Sequence, residues 1–394
     1  MDIFNRTIKF FNYQINKKNL GSLFFSIQFE KQYDYLYHFS EPENDIERSF
    51  YQYRCQCFVQ GKINVFFKEI ISGVFFLPFI LFLLIKRILI KNKREKIQNI
   101  YIATGANNID NEYLSTKFGS IKDIYYASNY YLSYRDLVII AKLIYSHPFS
   151  PFWYFKNSYK LSIYRYIIDS YSPENILCSS EYSFTSSLLT SYCEMFSIRH
   201  VNVMHGEKLF FIRDSFFHFH ECFIWDNHYR RLFNSLRALC DQYYIFLPKE
   251  FRLNNKNNKK VSLGLTYYLD SESKKGLLAI RKTLLSINIP PSKIAIRYHP
   301  RYNKVNLKFI NETFKDFIIE NPFSTSIIES FSITKCVASL YSTVLFQAYL
   351  FGNSIVIDDY SCPERYNQLL KMNYIIMNKP HYKISDLLRK NIIL

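Results

Sequence analysis

Residues 201–207, Val201-Asn-Val-Met-His-Gly-Glu207, show the pattern from which the fold class is predicted. A short apolar run, typical of a buried strand, ends abruptly in a polar turn. Similar apolar runs recur from Asn99 onward and alternate with amphipathic stretches. Short buried strands that alternate with helices are characteristic of parallel sheets covered by helices. The sequence therefore predicts an α/β fold.

A hydrophilic stretch, Asn254-Asn-Lys-Asn-Asn-Lys-Lys260, interrupts this alternation and predicts a linker. We therefore expect two Rossmann-like lobes facing across a cleft, at residues 98–253 and 254–394. The predicted strands are 99–103, 123–127, 175–178, 200–204, 222–225 and 243–247 in the first lobe, and 261–265, 293–297, 335–339 and 354–358 in the second. The predicted helices are 133–145, 159–171, 184–196, 227–237, 273–286, 306–317 and 343–351.

Composition excludes several classes of protein. The chain has 394 residues, which is long enough for two domains that each have a hydrophobic core. Because 48% of the residues are hydrophobic, the chain is not intrinsically disordered. Its net charge of +17 favours anionic partners, but zinc-finger spacing, basic-zipper heptads and an RRM signature are missing, and we expect no nucleic-acid partner. Neither a GxGxxG nor a Walker motif is present, which disfavours dehydrogenases and P-loop ATPases.

The eight cysteines are irregularly spaced, which argues against a disulfide framework and favours a cytosolic, reducing compartment. The N-terminus has an early acidic residue and no clean apolar core, so we expect no cleaved signal peptide.

We predict that residues 1–97 form an N-terminal extension. Its first 61 residues show no sustained hydrophobic periodicity, and the sequence assigns them no role. Residues 70–85 are apolar and uncharged, and a basic run follows up to Lys96. The segment is shorter than the roughly 20 residues of a perpendicular span and contains Pro78. Three alternatives remain: a peripheral helix on an anionic leaflet, a single span, or a buried core helix. We expect residues 70–96 to associate with a membrane.

Polar residues at predicted strand ends are the candidate functional groups, because ligands of parallel sheets bind beyond the carboxyl ends of strands. In the first lobe these are His205 and Glu207, separated by a glycine, and Glu181 after the strand 175–178. A histidine and a carboxylate in this position can act as a general base or as an orienting pair. A capped turn, or an acidic residue at a helix N-terminus, is the alternative interpretation.

Two motifs in the second lobe are suited to binding phosphate. Arg297-Tyr-His-Pro-Arg301 closes a predicted strand, and Arg297, His299 and Arg301 offer cationic groups on a turn fixed by Pro300. Tyr341-Ser-Thr343 opens a predicted helix, whose N–H groups and two hydroxyls would hold a phosphate. Ordinary helix capping by Ser342 is compatible with this role.

These three motifs, Met204-His-Gly-Glu207, Arg297-Tyr-His-Pro-Arg301 and Tyr341-Ser-Thr343, resemble those of bacterial surface-polysaccharide glycosyltransferases of the GT-B fold. The resemblance covers roughly residues 99–394. Among these enzymes the chain is most similar to the bacterial sialyltransferases, and it is also similar to the CDP-glycerol glycerophosphotransferases of teichoic acid synthesis. The acidic residue follows the glycine here, whereas sialyltransferases have an acidic pair before it.

The resemblance implies an inverting, metal-independent glycosyltransferase of O-antigen or capsule synthesis at the cytoplasmic face of the bacterial inner membrane. It implies CMP-sialic acid as the nucleotide-sugar donor, with no further cofactor, and a lipid-linked glycan as the acceptor. Pro300 and Tyr341 belong to the donor-binding motifs, His299 would contact the donor phosphate or cytidine, and Ser342 and Thr343 would bind the phosphate. Alternatives are a CDP-polyol phosphotransferase, a UDP-sugar glycosyltransferase, and a non-catalytic membrane-associated assembly protein.

Overall fold

The computed structural model describes residues 27–90, 95–103, 111–125, 129–252, 261–300 and 307–389. Within them the chain forms two compact units. The first unit comprises Glu30–His205 and Phe211–Pro248, and the second comprises residues 27–29, 206–210 and 249–389. The N-terminal helices therefore belong to the unit that contains the first sheet, and the short segment Gly206–Phe210 belongs to the unit that contains the second.

The first unit is built on a six-stranded sheet in which every neighbouring pair is parallel, with strand order β2-β1-β3-β4-β5-β6. Its strands are β1 Asn99–Ala103, β2 Ile121–Tyr125, β3 Asn175–Cys178, β4 Arg199–Val203, β5 His218–Ile224 and β6 Leu239–Ile245. Its helices are α1 Phe29–Tyr37, α2 Asp45–Gln60, α3 Lys62–Leu89, α4 Asn111–Phe118, α5 Tyr134–Ser146, α6 Pro151–Tyr171, α7 Ser186–Glu194 and α8 Asn227–Ser235.

The second unit has another six-stranded parallel sheet, of order β12-β11-β10-β7-β8-β9. Its strands are β7 Leu263–Tyr268, β8 Ile294–Arg297, β9 Ile318–Glu320, β10 Thr334–Ser339, β11 Ser354–Ile357 and β12 Tyr382–Lys383. Its helices are α9 Lys274–Ser286, α10 Leu307–Thr313, α11 Ile327–Ile333, α12 Thr343–Phe351, α13 Pro363–Lys371 and α14 Ile384–Arg389. This is the doubly wound order of nucleotide-binding sheets, with its switch point between β7 and β10.

The predicted α/β class with two Rossmann-like sheets is confirmed by these strand orders. Strands β1 and β3 and helix α12 have the predicted bounds, whereas helix α6 begins at Pro151 rather than at 159. The short strands β9 and β12 and the helices α11, α13 and α14 were not predicted from the sequence. Strand β12 has only two residues, too few to show a period.

Core packing explains why the strands have near-continuous apolar sequences. All five residues of β1 are buried, as are the inner residues of β8, β10 and β11. Helices cover both faces of such a sheet, so alternation between polar and apolar residues is lost. All eight cysteines are free, and five of them are buried as packing residues.

Helix α3 extends the predicted apolar segment to 28 residues and continues through Pro78. By length and composition it is the one helix of the described chain that is apolar enough to cross a membrane, and 22% of its most apolar window is buried. One face packs on α6, where Phe76 contacts Tyr154 and Phe79 stacks on Phe155. Residues 91–94 of the predicted basic run lie outside the described residues.

The opposite face of α3 exposes a continuous apolar stripe. Its members recur every three or four residues and are Ile63, Phe67, Ile70, Val74, Leu77, Leu81, Ile85 and Ile88. Between 48% and 79% of each of these residues is exposed. We refer to these eight residues as the apolar stripe.

Candidate functional site

Two predicted residues of the first unit meet at the carboxyl ends of neighbouring strands. Glu181 lies in the loop after β3, and His205 lies after β4, with its Nδ1 3.4 Å from Glu181 Oε1. The Glu181 side chain is fully buried, whereas 35% of the His205 side chain is exposed. A ligand can therefore reach the imidazole, and the carboxylate lies behind it.

Helix α2 holds the loop that carries Glu181. The Gln52 side-chain amide donates to the backbone carbonyls of Glu181 (2.9 Å) and Arg213 (3.1 Å). Gln56, one turn later, donates to the carbonyls of Tyr182 (2.9 Å) and Arg213 (3.2 Å). These contacts give residues 45–60 a positioning role that the sequence did not reveal. The only sequence feature that indicates this role is the pair of glutamines, four residues apart, in an aromatic helix.

A half-buried cation lies close to the same carboxylate. Arg213 donates to both oxygens of Asp214, at 2.6 and 3.1 Å. Burial opposes the charge of Arg213, but Asp214 and then Glu181 outweigh burial and raise its pKa.

His205 is followed by a backbone turn that requires glycine. Gly206 has φ of +67°, which other residues adopt only with strain. The Tyr182 ring packs edge-on against the imidazole of His205, with 5.6 Å between the centroids. The turn and the ring together fix where the imidazole points.

The two phosphate-binding motifs of the second unit lie at the same edge of its sheet. His299 follows β8 and Ser342 follows β10, and β7 runs between those strands. Adjacent strands are about 4.8 Å apart, so the two strand exits are separated by about 10 Å. Ser342 also borders the switch point between β7 and β10, where doubly wound sheets bind nucleotides.

Ser342 caps helix α12, since its hydroxyl accepts a hydrogen bond from the N–H of Val344 at 3.2 Å. Gly352 ends the helix with φ of +98°, a conformation that favours glycine. Thr343 is the first helical residue and is half-buried. The described geometry thus contains the capped N-terminus that the sequence predicted.

Tyr374 is a buried residue of this site that sequence analysis missed. Its hydroxyl donates to the carbonyl of Ser342 at 2.7 Å, and its ring packs 5.3 Å from that of Tyr341. Burial, followed by the nearby Glu207 carboxylate and Tyr341, raises the Tyr374 pKa well above its ordinary value. Glu207 and Ser342, predicted for separate tasks, are therefore both neighbours of Tyr374.

Arg297 has a different environment from the one predicted. Its guanidinium pairs with the buried Glu320 at the end of β9 and donates to the carbonyl of Thr325 at 2.9 Å. Ser330 donates to the other Glu320 oxygen at 2.9 Å. The Arg297 guanidinium is therefore engaged by Glu320 and Thr325 at the ends of the strands.

The rest of the His-Pro motif is more open. His299 is half-buried, and Pro300 is exposed in a turn. Arg301 lies outside the described residues.

Glu272, in the loop between β7 and α9, adds a carboxyl group near the switch point. Its Oε2 accepts a hydrogen bond of 2.8 Å from the N–H of Asp270. Burial, with a smaller contribution from Asp270, raises the pKa of Glu272 to about 7. Among the described residues, no group of three or more His, Cys, Asp or Glu side chains is placed to hold a metal ion.

Comparisons with known proteins show similarity to solved structures only. No family model and no curated protein matches the chain. Similar structures include the wall teichoic acid polymerase TagF, with 12% identity, a TM-score of 0.38, and coverage of 84% of this chain and 88% of that chain. A glycosyltransferase from Rickettsia africae has 12% identity and a TM-score of 0.37, and covers 75% of this chain and 88% of its own.

A third structure is the UDP-GlcNAc 2-epimerase of Methanocaldococcus jannaschii in complex with UDP-GlcNAc and UDP. It has 14% identity and a TM-score of 0.41, with coverage of 75% of this chain and 93% of that one. The strand orders of the two sheets define this protein as a two-unit α/β protein of doubly wound type.

Proposed function

We propose that this protein is an inverting glycosyltransferase of bacterial surface-polysaccharide synthesis and that it transfers sialic acid from CMP-sialic acid to a hydroxyl group of a glycan. The observation that carries the proposal is the position of the capped α12 N-terminus and of His299 on either side of β7. Helix N-termini at such switch points suit the phosphate of a nucleotide. The choice of sialic acid as the sugar and of CMP as the nucleotide rests on the motif resemblance.

We assign donor binding to His299, Ser342 and Thr343, with Pro300, Tyr341 and Arg301 shaping the same motifs. Arg297 has a positioning role in this proposal, because Glu320 and Thr325 already engage its guanidinium. Binding the phosphate through N–H groups and hydroxyls stabilises the nucleotide as it leaves, without a requirement for a metal ion.

His205 is the proposed general base. Its partly exposed ring takes the proton from the acceptor hydroxyl, and the hydroxyl oxygen forms a bond to the anomeric carbon of the sugar. The bond from that carbon to the donor phosphate breaks, and CMP leaves with the electron pair. Glu181 lies behind the imidazole and orients it. Glu207 lies two residues away in the chain and beside Tyr374, and is the alternative base.

The decisive experiment is isothermal titration of the full chain with CMP, CDP and UDP. We expect a cytidine nucleotide to bind, and His299→Ala to weaken its binding by about tenfold or more. His38→Ala, an exposed histidine of the first unit, is the matched control and should leave binding unchanged. Binding of none of the three nucleotides would contradict the proposal and favour a non-catalytic assembly protein.

Product analysis separates the enzymatic alternatives. A sialyltransferase adds no phosphate to its product, whereas a CDP-polyol phosphotransferase leaves phosphate in the product. Preferential binding of UDP would favour a UDP-sugar donor.

We further propose peripheral attachment to the cytoplasmic face of the inner membrane, with a lipid-linked glycan as the acceptor. The support for it is the apolar stripe of α3, together with the cationic Lys86 and Arg87 in its last turn. The packing of α3 along α6 favours a helix that lies in the interface over one that spans the membrane.

A further inference from the structure

A cavity of about 350 Å³ lies at the amino-terminal edge of the first sheet. It is lined by the first residues of three neighbouring strands, Asn99 of β1, Asn175 of β3 and Arg199 of β4. These residues are in register, so their side chains form one row on one face of the sheet. The five residues of β4 place about 13 Å between this edge and the opposite one, which carries His205. The cavity is therefore separate from the proposed reaction centre.

Hydrogen bonds fix the backbone around the cavity. The N–H groups of Glu174 and Asn175 both donate to the carbonyl of Gln98, at 2.9 and 3.1 Å, and the N–H of Arg199 donates to the carbonyl of Glu174 at 2.9 Å. Asn175 Nδ2 donates to Oδ1 of the buried Asn99 at 2.8 Å. The cavity is therefore formed before a ligand binds, and a preformed site has a lower entropic cost of binding.

The polar groups around the opening of the cavity are accessible. Gln98, Glu174 and Ser197 line it and are exposed residues. Arg199 lines it as well, and 67% of its side chain is exposed. A ligand in the cavity can therefore reach an amide, a carboxylate, a hydroxyl group and a guanidinium.

The charged groups of the cavity balance one another. Lys117, another lining residue, donates through Nζ to Glu221 Oε2 at 2.7 Å, and Arg199 Nη1 lies 3.5 Å from Glu221 Oε1. The Glu174 carboxylate adds a second negative charge, and its Oε2 accepts a hydrogen bond of 2.8 Å from Gln98. These two cations and two carboxylates sum to zero, so the cavity has no excess charge with which to select an ion.

The lining is suited to hydroxyl groups instead. Amides donate and accept hydrogen bonds, a guanidinium donates, and a carboxylate accepts. A hydroxyl group both donates and accepts, so a ring with several hydroxyl groups matches this mixed set. Among the described residues that line the cavity, only Phe118 is apolar, which indicates a polar ligand. The volume of the cavity is at the lower end of the range for small-molecule sites, which limits the ligand to a small one.

We infer that this cavity binds a neutral sugar unit of a glycan. An ionic ligand would compete with the pairing of Lys117 and Arg199 with Glu221, whereas hydroxyl groups can bond to the exposed groups without breaking those pairs. The binding itself does not depend on the chemistry proposed for His205. Its role rests on the proposed function: the cavity holds a sugar unit distant from the reacting hydroxyl, so that the glycan acceptor contacts the first unit at two places.

Saturation-transfer difference NMR tests the site on the full chain, in an uncharged polyoxyethylene detergent that contains no sugar. The probes are three neutral sugars, glucose, galactose and N-acetylglucosamine, with glucuronate and glycine as charged comparisons. We expect at least one neutral sugar to receive saturation from the protein and to bind more tightly than glucuronate and glycine. Absence of transfer to all three neutral sugars, or tighter binding of either charged probe, overturns the inference.

Variants connect the binding to the cavity. Ser197→Trp places a large side chain at its opening, and Arg199→Met removes the guanidinium but keeps an unbranched side chain. Each should weaken binding of the neutral sugar by about tenfold or more. Ser146→Trp and Arg135→Met, at exposed residues of α5, are the matched controls and should bind as the wild type does. Urea denaturation checks that all four variants are folded. Unchanged binding in folded Ser197→Trp contradicts the assignment.

His205→Ala separates this cavity from the reaction centre. Sugar binding should persist in His205→Ala, and its loss there together with its retention in Ser197→Trp would place the sugar at the reaction centre and overturn the inference. Failure of the proposed function has a different signature, because the protein would then bind the sugar but none of the three nucleotides.

Discussion

The hydroxyl of Tyr374 donates a hydrogen bond of 2.7 Å to the backbone carbonyl of Ser342, the residue that caps the N-terminus of helix α12. The N–H of Ser342 lies 3.5 Å from the same hydroxyl. One buried side chain, 32 residues further along the chain, therefore fixes the backbone of the proposed phosphate site. The orientation of the helix N-terminus is set before any ligand arrives.

Tyr374→Phe removes this hydrogen bond and keeps the aromatic packing. We expect the free energy of unfolding to fall by about 1 kcal/mol, the usual net value of such a bond. Nucleotide affinity should fall as well, because the backbone of Ser342 is then less restrained. Urea denaturation and nucleotide titration measure the two effects. Tyr349→Phe, a substitution elsewhere on the half-buried surface of α12, is the control. Unchanged stability and affinity would contradict the role given to Tyr374.

Arg297 and Glu320 form a buried ion pair, and its disruption should affect stability first. Arg297→Ala leaves the Glu320 carboxylate buried with one partner fewer and should destabilise the protein by about 3–5 kcal/mol. Adding Glu320→Gln should recover part of this loss, because the uncompensated charge is then removed.

Urea denaturation of the single and double variants measures this coupling. If Arg297 instead contacted the donor directly, Arg297→Ala would lose nucleotide affinity without a comparable loss of stability. That result would return Arg297 to the group of donor-binding residues.

Glu272 should make stability depend on pH. Its pKa is about 7 in the folded protein against 4.5 as its ordinary value, so the folded state binds the extra proton between these values. Stability contributed by this group is therefore full below about pH 4.5 and declines as pH rises through about 7.

Glu272→Gln should remove this decline and stabilise the protein at pH 8.5 by about 1–3 kcal/mol, after allowance for solvent near the half-buried side chain. Urea denaturation at pH 5.5 and 8.5 measures the difference between the two proteins. Asp316→Asn, which alters an exposed carboxyl of the same unit, is the control. Parallel pH profiles for wild type and Glu272→Gln would show that this pKa is not raised.

The apolar stripe should govern membrane attachment. Val74→Glu with Leu77→Glu places two charges where we propose that α3 enters the interface, and should reduce flotation with anionic vesicles by about tenfold or more. Leu278→Glu, at a similarly exposed leucine on α9, should float as the wild type does. Equal flotation of all three proteins would contradict the proposed attachment.

Local pattern was sufficient to predict much of the architecture. Short apolar runs mark strands that are buried on both faces, and this property belongs to each segment alone. For the same reason the cap of helix α12 at Ser342 could be predicted, since a capping side chain bonds to backbone only two or three positions away. The short strands β9 and β12 could not be predicted, because segments of three and two residues are too short to show the apolar pattern of a strand.

Local sequence is enough to predict the two parallel α/β sheets and the positions of His205, His299 and Ser342 after strands, because strand burial and helix capping depend on neighbouring residues. The folded chain is needed to show that Glu181 lies behind His205, that Arg297 pairs with Glu320, and that Tyr374 bonds to Ser342. These contacts join residues more than twenty positions apart. Strand order in the folded sheets sets such distances, and strand order follows from the packing of the whole chain rather than from any one segment.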